Sequence, residues 1–390
     1  MTEAGKDHGI REIVPDVPEG LEFGLRNYWY PILQTEELPT GEPVGMTVLG
    51  EDIAIWRGND GRPNVVAGHC PHRNAKLSVG RVLDGNLQCL FHGLRFGGDG
   101  KCVLVPWEPE DSKLLGELSV RSYRAEELGG YVWAYLGDAE KFPPPPLVDE
   151  VPEELNDADN FVWFKVPTEI WNANWLLTLD GQDAYHVVTL HAQTQAVPPS
   201  GHAQTQAVPP SGGAGGGPGP VPLADRRVKI VDTSYGIRAI STDLDGNALD
   251  QGHFTDVKGD RFVLPCLSTN PIRPRAGSDP YIVRVWQMPI DDQRTLVARF
   301  LSFRASSAED RDRMEQFFHE VALPRGSQVS AEDALIAEAQ GSLVDARANE
   351  FLFNEDMETV KLRRLLKKAF LDQRDGRRVS ISKDALAFPV

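Results

Sequence analysis

Two cysteine–histidine pairs in the first third of the chain have spacing typical of a metal site. Cys70 and His72 are separated by one residue, and Cys89 and His92 by two. Two thiolates and two imidazoles can hold a tetrahedral zinc ion, or a 2Fe-2S cluster with cysteine on one iron and histidine on the other. The spacing alone leaves both possibilities open.

A second group of metal-ligand residues lies near the middle of the chain. Asp183 is followed by His186 and His191. A mononuclear Fe(II) site needs two neutral imidazoles and one carboxylate on one face of the metal. Five residues correspond to about 140° around a regular α-helix, so a helix end or a π-bulge would have to bring the two rings together. The alternative is two surface histidines on a helix beside a loop.

The first group lies among short strands. From Tyr28 to about Asp138 the chain is divided by turn signals, among them Asn59–Gly61 and the glycines of 97–100. Four consecutive prolines at 143–146 then favour an extended segment that cannot join a sheet. We therefore predict an N-terminal segment over 1–27, an all-β domain over 28–150 and a second domain over 151–390.

The second domain mixes strands and helices. Residues 228–243, 281–290 and 294–303 have the pattern of long antiparallel strands. A helix is predicted from Ser306 to a stop at Pro324, another from about Ser330, and a third through 357–370. This order indicates an α+β fold.

Charge and hydropathy exclude several classes of protein. The net charge of −17 argues against nucleic-acid binding, which requires a basic surface. No run approaches about 20 apolar residues, so no membrane span is expected. The first twenty residues have neither a signal-peptide nor a transit-peptide pattern, which favours the cytoplasm. Cys102 and Cys266 have no partner at ligand spacing, and we interpret them as buried apolar residues.

An eleven-residue stretch is repeated, at 191–201 and again at 202–212. The repeat is short and rich in proline and glycine, so it extends a loop rather than forming a structural unit. It supplies a competing histidine, His202, which lacks an acid and a second histidine at the right offsets. We therefore assign His202 to the loop and not to the metal site.

The residues of both groups resemble the Rieske non-haem iron ring-hydroxylating oxygenases. CPHR at 70–73 and CLFHG at 89–93 resemble the two Rieske loops, and NANWLLTLDGQDAYHVVTLH at 172–191 resembles the iron-binding segment. The chain departs from the usual pattern at Phe91, at Leu94 and at the pair Asp180–Gly181. Loss of the usual tyrosine hydroxyl at Phe91 is expected to lower the cluster potential.

The resemblance implies a role for each residue. Cys70, His72, Cys89 and His92 would bind one 2Fe-2S cluster, and His186, His191 and Asp333 would bind one Fe(II). Asp183 would bridge the two centres between neighbouring subunits. For Asp333 an alternative remains, because Ser330 and Asp333 also form a capping box at a predicted helix start.

The resemblance further implies a fold and an activity. The fold is a Rieske β-domain joined to a helix-grip catalytic domain with a large antiparallel sheet, assembled as a homotrimer. The activity is that of a terminal oxygenase, which inserts O2 into a polycyclic or heterocyclic aromatic substrate such as carbazole. Electrons would come from a ferredoxin and its reductase. Residues 261–271 and the loop after His191 are candidate pocket walls.

Three other functions fit parts of the pattern. Within the oxygenases, a monooxygenase or demethylase acting on an aromatic or steroid substrate is the alternative. If only the first group binds metal, the chain is a Rieske electron carrier with an appended binding domain. If that group binds zinc, the chain is a structural or lipid-binding module.

Overall fold

A computed structural model describes residues 16–109, 112–181, 186, 190–191, 227–242, 245, 261–272, 280–353 and 356–388. Within these ranges the chain forms three antiparallel sheets and a set of helices. None of the described helices is both long enough and apolar enough to cross a membrane.

The first two sheets lie in the N-terminal part. Their strands are β1 (Trp29–Gln34), β2 (Val44–Val48), β3 (Glu51–Arg57), β4 (Pro63–Ala67), β5 (Arg81–Leu83), β6 (Asn86–Gln88), β7 (Arg95–Phe96), β8 (Cys102–Leu104), β9 (Ser122–Leu128) and β10 (Tyr131–Tyr135), with a short helix α1 (Leu114–Glu117) before β9. One sheet has the order β1-β10-β9-β4-β3-β2 and the other β5-β6-β7-β8. The predicted turns at Asn59–Gly61 and 97–100 join β3 to β4 and β7 to β8, which confirms both.

A seven-stranded sheet forms the centre of the second part. Its strands are β11 (Phe161–Trp171), β12 (Arg227–Asp232), β13 (Gly236–Thr242), β14 (Phe262–Val263), β15 (Leu267–Ile272), β16 (Tyr281–Pro289) and β17 (Thr295–Arg304). They follow the order β11-β17-β16-β15-β14-β13-β12, all antiparallel. The predicted long strands and the α+β class are confirmed.

The two faces of this sheet have different neighbours. Trp286 packs edge-on against Trp133 of β10, with ring centroids 5.4 Å apart, and belongs to one continuous apolar core with Phe300. Side chains alternate along a strand, so Val285 and Val297 point to the opposite face, toward the helices. One sheet therefore supports the β-domain on one side and a cavity on the other.

The helices are α2 (Trp175–Asp180), α3 (Ala308–Phe317), α4 (Leu323–Ala339), α5 (Leu343–Asn349), α6 (Met357–Arg374) and α7 (Lys383–Leu386). The predicted stop at Pro324 is wrong, and so is the helix start near Ser330. A π-helical turn over Phe318–Ala322 carries α3 into α4. Pro324 lies in the first turn of α4, directly after the π-helical turn, and does not end the helix. The domain boundaries at 27 and 150 remain predictions.

Candidate active site

The first group of predicted ligands lies in two turns of the β-domain. Cys70 and His72 follow β4, and Cys89 and His92 lie between β6 and β7. Both cysteines are buried, and their thiols are hydrogen-bonded neighbours. The ring centroids of His72 and His92 are 4.5 Å apart, with the rings edge to face. The fold thus brings two thiols and two imidazoles from separate turns to one place.

Short hydrogen bonds shape the second turn. The Cys89 N–H donates to the Leu94 carbonyl at 2.9 Å, and the Gly93 N–H donates to the Cys89 carbonyl at 3.0 Å. Gly93 has φ +79°, and a Cβ there would lie 2.9 Å from Pro106. Leu94 is buried in the core beneath the turn, whereas Phe91 is 54% exposed. The turn therefore anchors its apolar residue inward and presents His92 near the surface.

The donor chemistry fits a cluster. The His92 Nδ1 atom is buried without a hydrogen-bond partner, which is costly for a polar atom unless it binds something. Burial raises the pKa of the Cys70 thiol to about 11; a backbone hydrogen bond from His72 opposes this, and the Cys89 thiol adds to it. A metal would remove the cost of ionising that thiol. These residues would hold a 2Fe-2S cluster; the assignment of all four ligands remains a prediction.

Neighbouring His69 has other partners. Its ring nitrogens lie 3.0 Å from the Asn74 carbonyl and 3.0 Å from the Asp52 carboxylate. Both contacts raise the pKa of His69 and outweigh its partial burial. His69 therefore links the first turn to β3 and supports the turn that carries Cys70.

The second group converges on one point. One potential ligand atom from each of His186, His191 and Asp333 lies within 4.8 Å of the others. The Asp333 Oδ1 atom is 3.0 Å from His191 Nε2 and 3.7 Å from His186 Nε2. The imidazole centroids are 5.1 Å apart. Two imidazoles and one carboxylate in this arrangement fit Fe(II) in residue type and number, and the ligand roles remain predictions.

Helix α2 precedes the segment that carries the two histidines. Asn174 caps it by accepting from the Leu176 N–H, while its amide donates to the carbonyls of Glu22 and Asp292. Trp175 donates to the Leu21 carbonyl at 3.0 Å. The helix ends at Asp180, before His186. This end precedes both histidines, and the irregularity predicted between them falls at 187–189, outside the described residues.

Asp333 lies inside α4, not at its start. The helix begins ten residues earlier, at Leu323, and the Ser330 hydroxyl donates to Glu169 at 2.6 Å. The capping-box alternative for Asp333 is therefore wrong, because the helix N-terminus is elsewhere. An interior carboxylate that faces two imidazoles has no structural role as a cap.

Glu332 is a site residue that the sequence analysis missed. Its Oε2 atom lies 2.6 Å from His191 Nδ1, on the side of the ring opposite Asp333. Burial lowers the pKa of His191, but the contacts with Asp333 and Glu332 outweigh it and raise the pKa. A carboxylate on the outer nitrogen of a ligand histidine fixes its tautomer and orientation. In the sequence, the position of Glu332 directly before Asp333 is the signal from which this role could have been predicted.

Asp180, a departure from the usual pattern, joins three helices. Its carboxylate is 2.6 Å from Arg347 of α5 and 2.9 Å from Arg363 of α6. Arg363 also reaches Glu350 at 2.7 Å. The end of α2 is thereby held by a charged network.

Two predicted positions lie outside the described residues. These are Asp183 and His202, together with the rest of the repeated loop. Their assignments stay predictions.

A mostly apolar cavity adjoins the His186–His191–Asp333 group. It lies between one face of the large sheet and α4, and its walls include Val283, Val297 and Leu301. Arg261 and Asn270, from the predicted wall segment, also line it. Two arginines that the sequence analysis missed, Arg299 and Arg325, also line it. A ring-sized apolar space beside a metal site is typical of a substrate pocket.

Comparisons with known proteins agree with this architecture. Residues 28–124 match the family described as the Rieske [2Fe-2S] domain. The phthalate 4,5-dioxygenase oxygenase subunit of Pseudomonas putida is 30% identical over 281 residues, which are 70% of this chain and 58% of that protein. A vanillate O-demethylase oxygenase subunit from a Pseudomonas species is 36% identical over 138 residues, 35% of this chain and 36% of that protein.

Solved structures show a similar fold over nearly the whole chain. The terminal oxygenase of carbazole 1,9a-dioxygenase from Novosphingobium sp. KA1 has a TM-score of 0.65 at 21% identity, covering 93% of this chain and 96% of that one. Matches to the curated relatives are shorter and span between 31% and 58% of their length.

Fold and site combine a β-domain that matches the Rieske [2Fe-2S] domain with a second part built on a large antiparallel sheet. Residues 28–124 thus match the Rieske [2Fe-2S] domain family, and the fold of nearly the whole chain is similar to that of a carbazole 1,9a-dioxygenase terminal oxygenase.

Proposed function

We propose that this chain is the terminal oxygenase of a multicomponent system that oxidises an aromatic substrate with O2 and electrons from a ferredoxin and its reductase. The observation that carries the proposal is the grouping of His186, His191 and Asp333 within 4.8 Å, beside a mostly apolar cavity. Relatives named as a phthalate dioxygenase and as a vanillate demethylase support the class.

Each part of the chain has a task in this proposal. His186, His191 and Asp333 hold Fe(II), which supplies O2 activation when bound. Glu332 orients His191, and the apolar walls keep water from the reacting ring. His92 lies at the tip of the Rieske domain beside the exposed Phe91. That position suits electron transfer to or from another protein.

The trimer and its bridging residue belong to the same proposal. In a homotrimer, His92 of one subunit would meet Asp183 and His186 of the next. Asp183→Asn should leave the cluster and the Fe(II) bound while substrate oxidation collapses. Iron analysis and the visible spectrum check the first part, and product formation checks the second. Loss of either metal from this variant would show that Asp183 acts in metal binding instead.

The type of oxygenation can be measured directly. Purified chain, ferredoxin and reductase would be supplied with 18O2 and with carbazole, fluorene, dibenzofuran and simple aromatic acids. Two labelled atoms in one product indicate a dioxygenase. One labelled atom or formaldehyde release indicates a monooxygenase or demethylase, a second candidate that the match to the vanillate demethylase subunit favours. A chain with two iron atoms and no oxidation product would be an electron carrier, and a colourless chain with zinc would be a structural module.

A further inference from the structure

The cavity beside the candidate iron site carries an unusual amount of positive charge for an apolar pocket. Its volume is about 140 Å³, close to the ~150 Å³ of a cavity that holds one benzene ring. Three arginines line it: Arg261, Arg299 and Arg325. Among its described walls the carboxylate is Asp333, which the proposed function assigns to iron. Space and charge therefore favour a single ring that bears an anionic group.

Arg299 is the most deeply buried of these cations. It is 7% exposed and lies on β17 between Val297 and Leu301, which face the cavity as it does. One guanidinium nitrogen pairs with Glu169, and Nη1 is 3.4 Å from the Gly326 carbonyl. The Nε atom is buried without a hydrogen-bond partner. A buried cationic donor left unsatisfied is costly, and a carboxylate is its strongest partner.

Arg325 brings a second cation to the same end of the cavity. It lies in the first turn of α4, adjacent to the Gly326 that Arg299 approaches. Arg325 precedes Asp333 by eight residues, which places both on one face of the helix about 12 Å apart along its axis. Apolar side chains of β16 and β17 line the same cavity, and Arg299 lies close enough to Asp333 for their charges to interact.

Arg261 contributes less positive charge to this end of the cavity. It pairs with Glu358 at 3.7 Å, so a carboxylate of the protein already offsets its charge. Arg299 also has a partner in Glu169, whose side chain is 33% exposed and is shared with Ser330. The unsatisfied donor at this end is therefore the buried Arg299 Nε atom, and Arg325 lies in the same wall of the cavity.

We propose that the substrate is an aromatic carboxylate, held with its carboxylate at Arg299 and Arg325 and its ring against Val283 and Val297. The inference rests on the proposed function, because it places the opposite edge of the ring toward the His186–His191–Asp333 group. A neutral polycycle such as carbazole would leave the Arg299 Nε atom unsatisfied in a desolvated pocket. Sites built around a hydrogen bond reject analogues that lack it.

Binding of matched ligands to the metal-loaded protein tests the proposal. Benzoate and its monosubstituted derivatives would be compared with benzamide, a neutral molecule of the same shape, and with carbazole. Calorimetry should show at least one carboxylate binding at least about tenfold more tightly than its amide and than carbazole. Tighter binding of benzamide or carbazole than of every carboxylate would overturn the proposal.

Two substitutions identify the groups responsible. Arg325→Met should weaken carboxylate binding about tenfold or more and leave amide binding unchanged. Arg299→Met should do the same, with the circular-dichroism melt as a check on folding, because Glu169 loses its partner. Arg313→Met, on the exposed face of α3 with a side chain 63% exposed, is the control and should bind like the parent. Unchanged carboxylate binding in both cavity variants would refute the assignment.

Failure of this inference is distinguishable from failure of the proposed function. If carbazole is oxidised and no carboxylate binds, the oxygenase stands and the substrate class is wrong. If a carboxylate binds through Arg299 and Arg325 but nothing is oxidised in the presence of ferredoxin, reductase and iron, the pocket assignment stands and the oxygenase proposal fails.

Discussion

The two candidate metal sites are built in opposite ways. The cluster residues lie between positions 70 and 92, in two neighbouring turns held by short local hydrogen bonds. The iron-site residues lie between positions 186 and 333 and meet only because α4 packs beside the end of α2. A local site depends on its own turns, whereas a distributed site depends on the packing of the whole domain. Loss of one should therefore leave the other intact.

The sharpest test is a reciprocal pair of ligand substitutions. Asp333→Ala should remove the mononuclear iron and reduce substrate oxidation at least about a hundredfold, with the cluster spectrum unchanged. Cys89→Ala should remove the cluster and leave the mononuclear site able to bind one metal ion. Iron content and visible absorption measure both. Simultaneous loss of both metals in either variant would contradict the independence of the two sites.

Stability offers a second way to challenge the comparison. Asp180→Asn leaves Arg347 and Arg363 to share Glu350 as their remaining carboxylate in a mostly buried network, so we expect the free energy of unfolding to fall by about 3 kcal/mol. Denaturant melts monitored in the second domain provide the measurement. Asp375→Asn is the control, because its side chain and that of its partner Arg377 are each 62% exposed, and it should change stability by less than about 0.5 kcal/mol. Equal effects would show that the network contributes little.

Glu332 tests the orientation of one ligand. Glu332→Gln keeps the size of the side chain but removes the charge beside the outer nitrogen of His191, and Fe(II) should bind about 10–100-fold more weakly. Titration of iron-depleted protein measures the affinity. Glu315→Gln, an exposed change on α3, serves as the control. Undiminished affinity in the Glu332 variant would make that residue structural only.

Competition between protons and iron for His191 should have the smallest of the expected effects, a dependence of iron affinity on pH. The pKa of His191 is raised above its ordinary 6.5, since Asp333 and Glu332 outweigh burial. In iron-free protein, the stability gained from protonated His191 is complete below pH 6.5 and is lost as the pH rises through the raised pKa. Iron must displace that proton, so its affinity should rise with pH over the same window, by at most about tenfold per unit. A flat profile would argue that His191 is not a ligand.

The contrast between the two sites explains how much of each could be predicted from the sequence. The Cys70–His92 turns were predictable because their spacing and turn residues are local. Asp333 was found by resemblance, yet its place in the helix was wrong, since Pro324 begins α4 instead of ending α3. Glu332, Arg299 and Arg325 were missed. Their roles depend on how strands and helices pack, which no local pattern contains.

The position of Pro324 in one unbroken helix has a consequence for selectivity. Arg325 and Asp333 lie on the same helix, so the distance between their backbone positions is fixed. In the proposed substrate complex, the length of the bound acid would decide which ring carbon reaches the iron, and inserting one residue between Arg325 and Asp333 would rotate them off a common face.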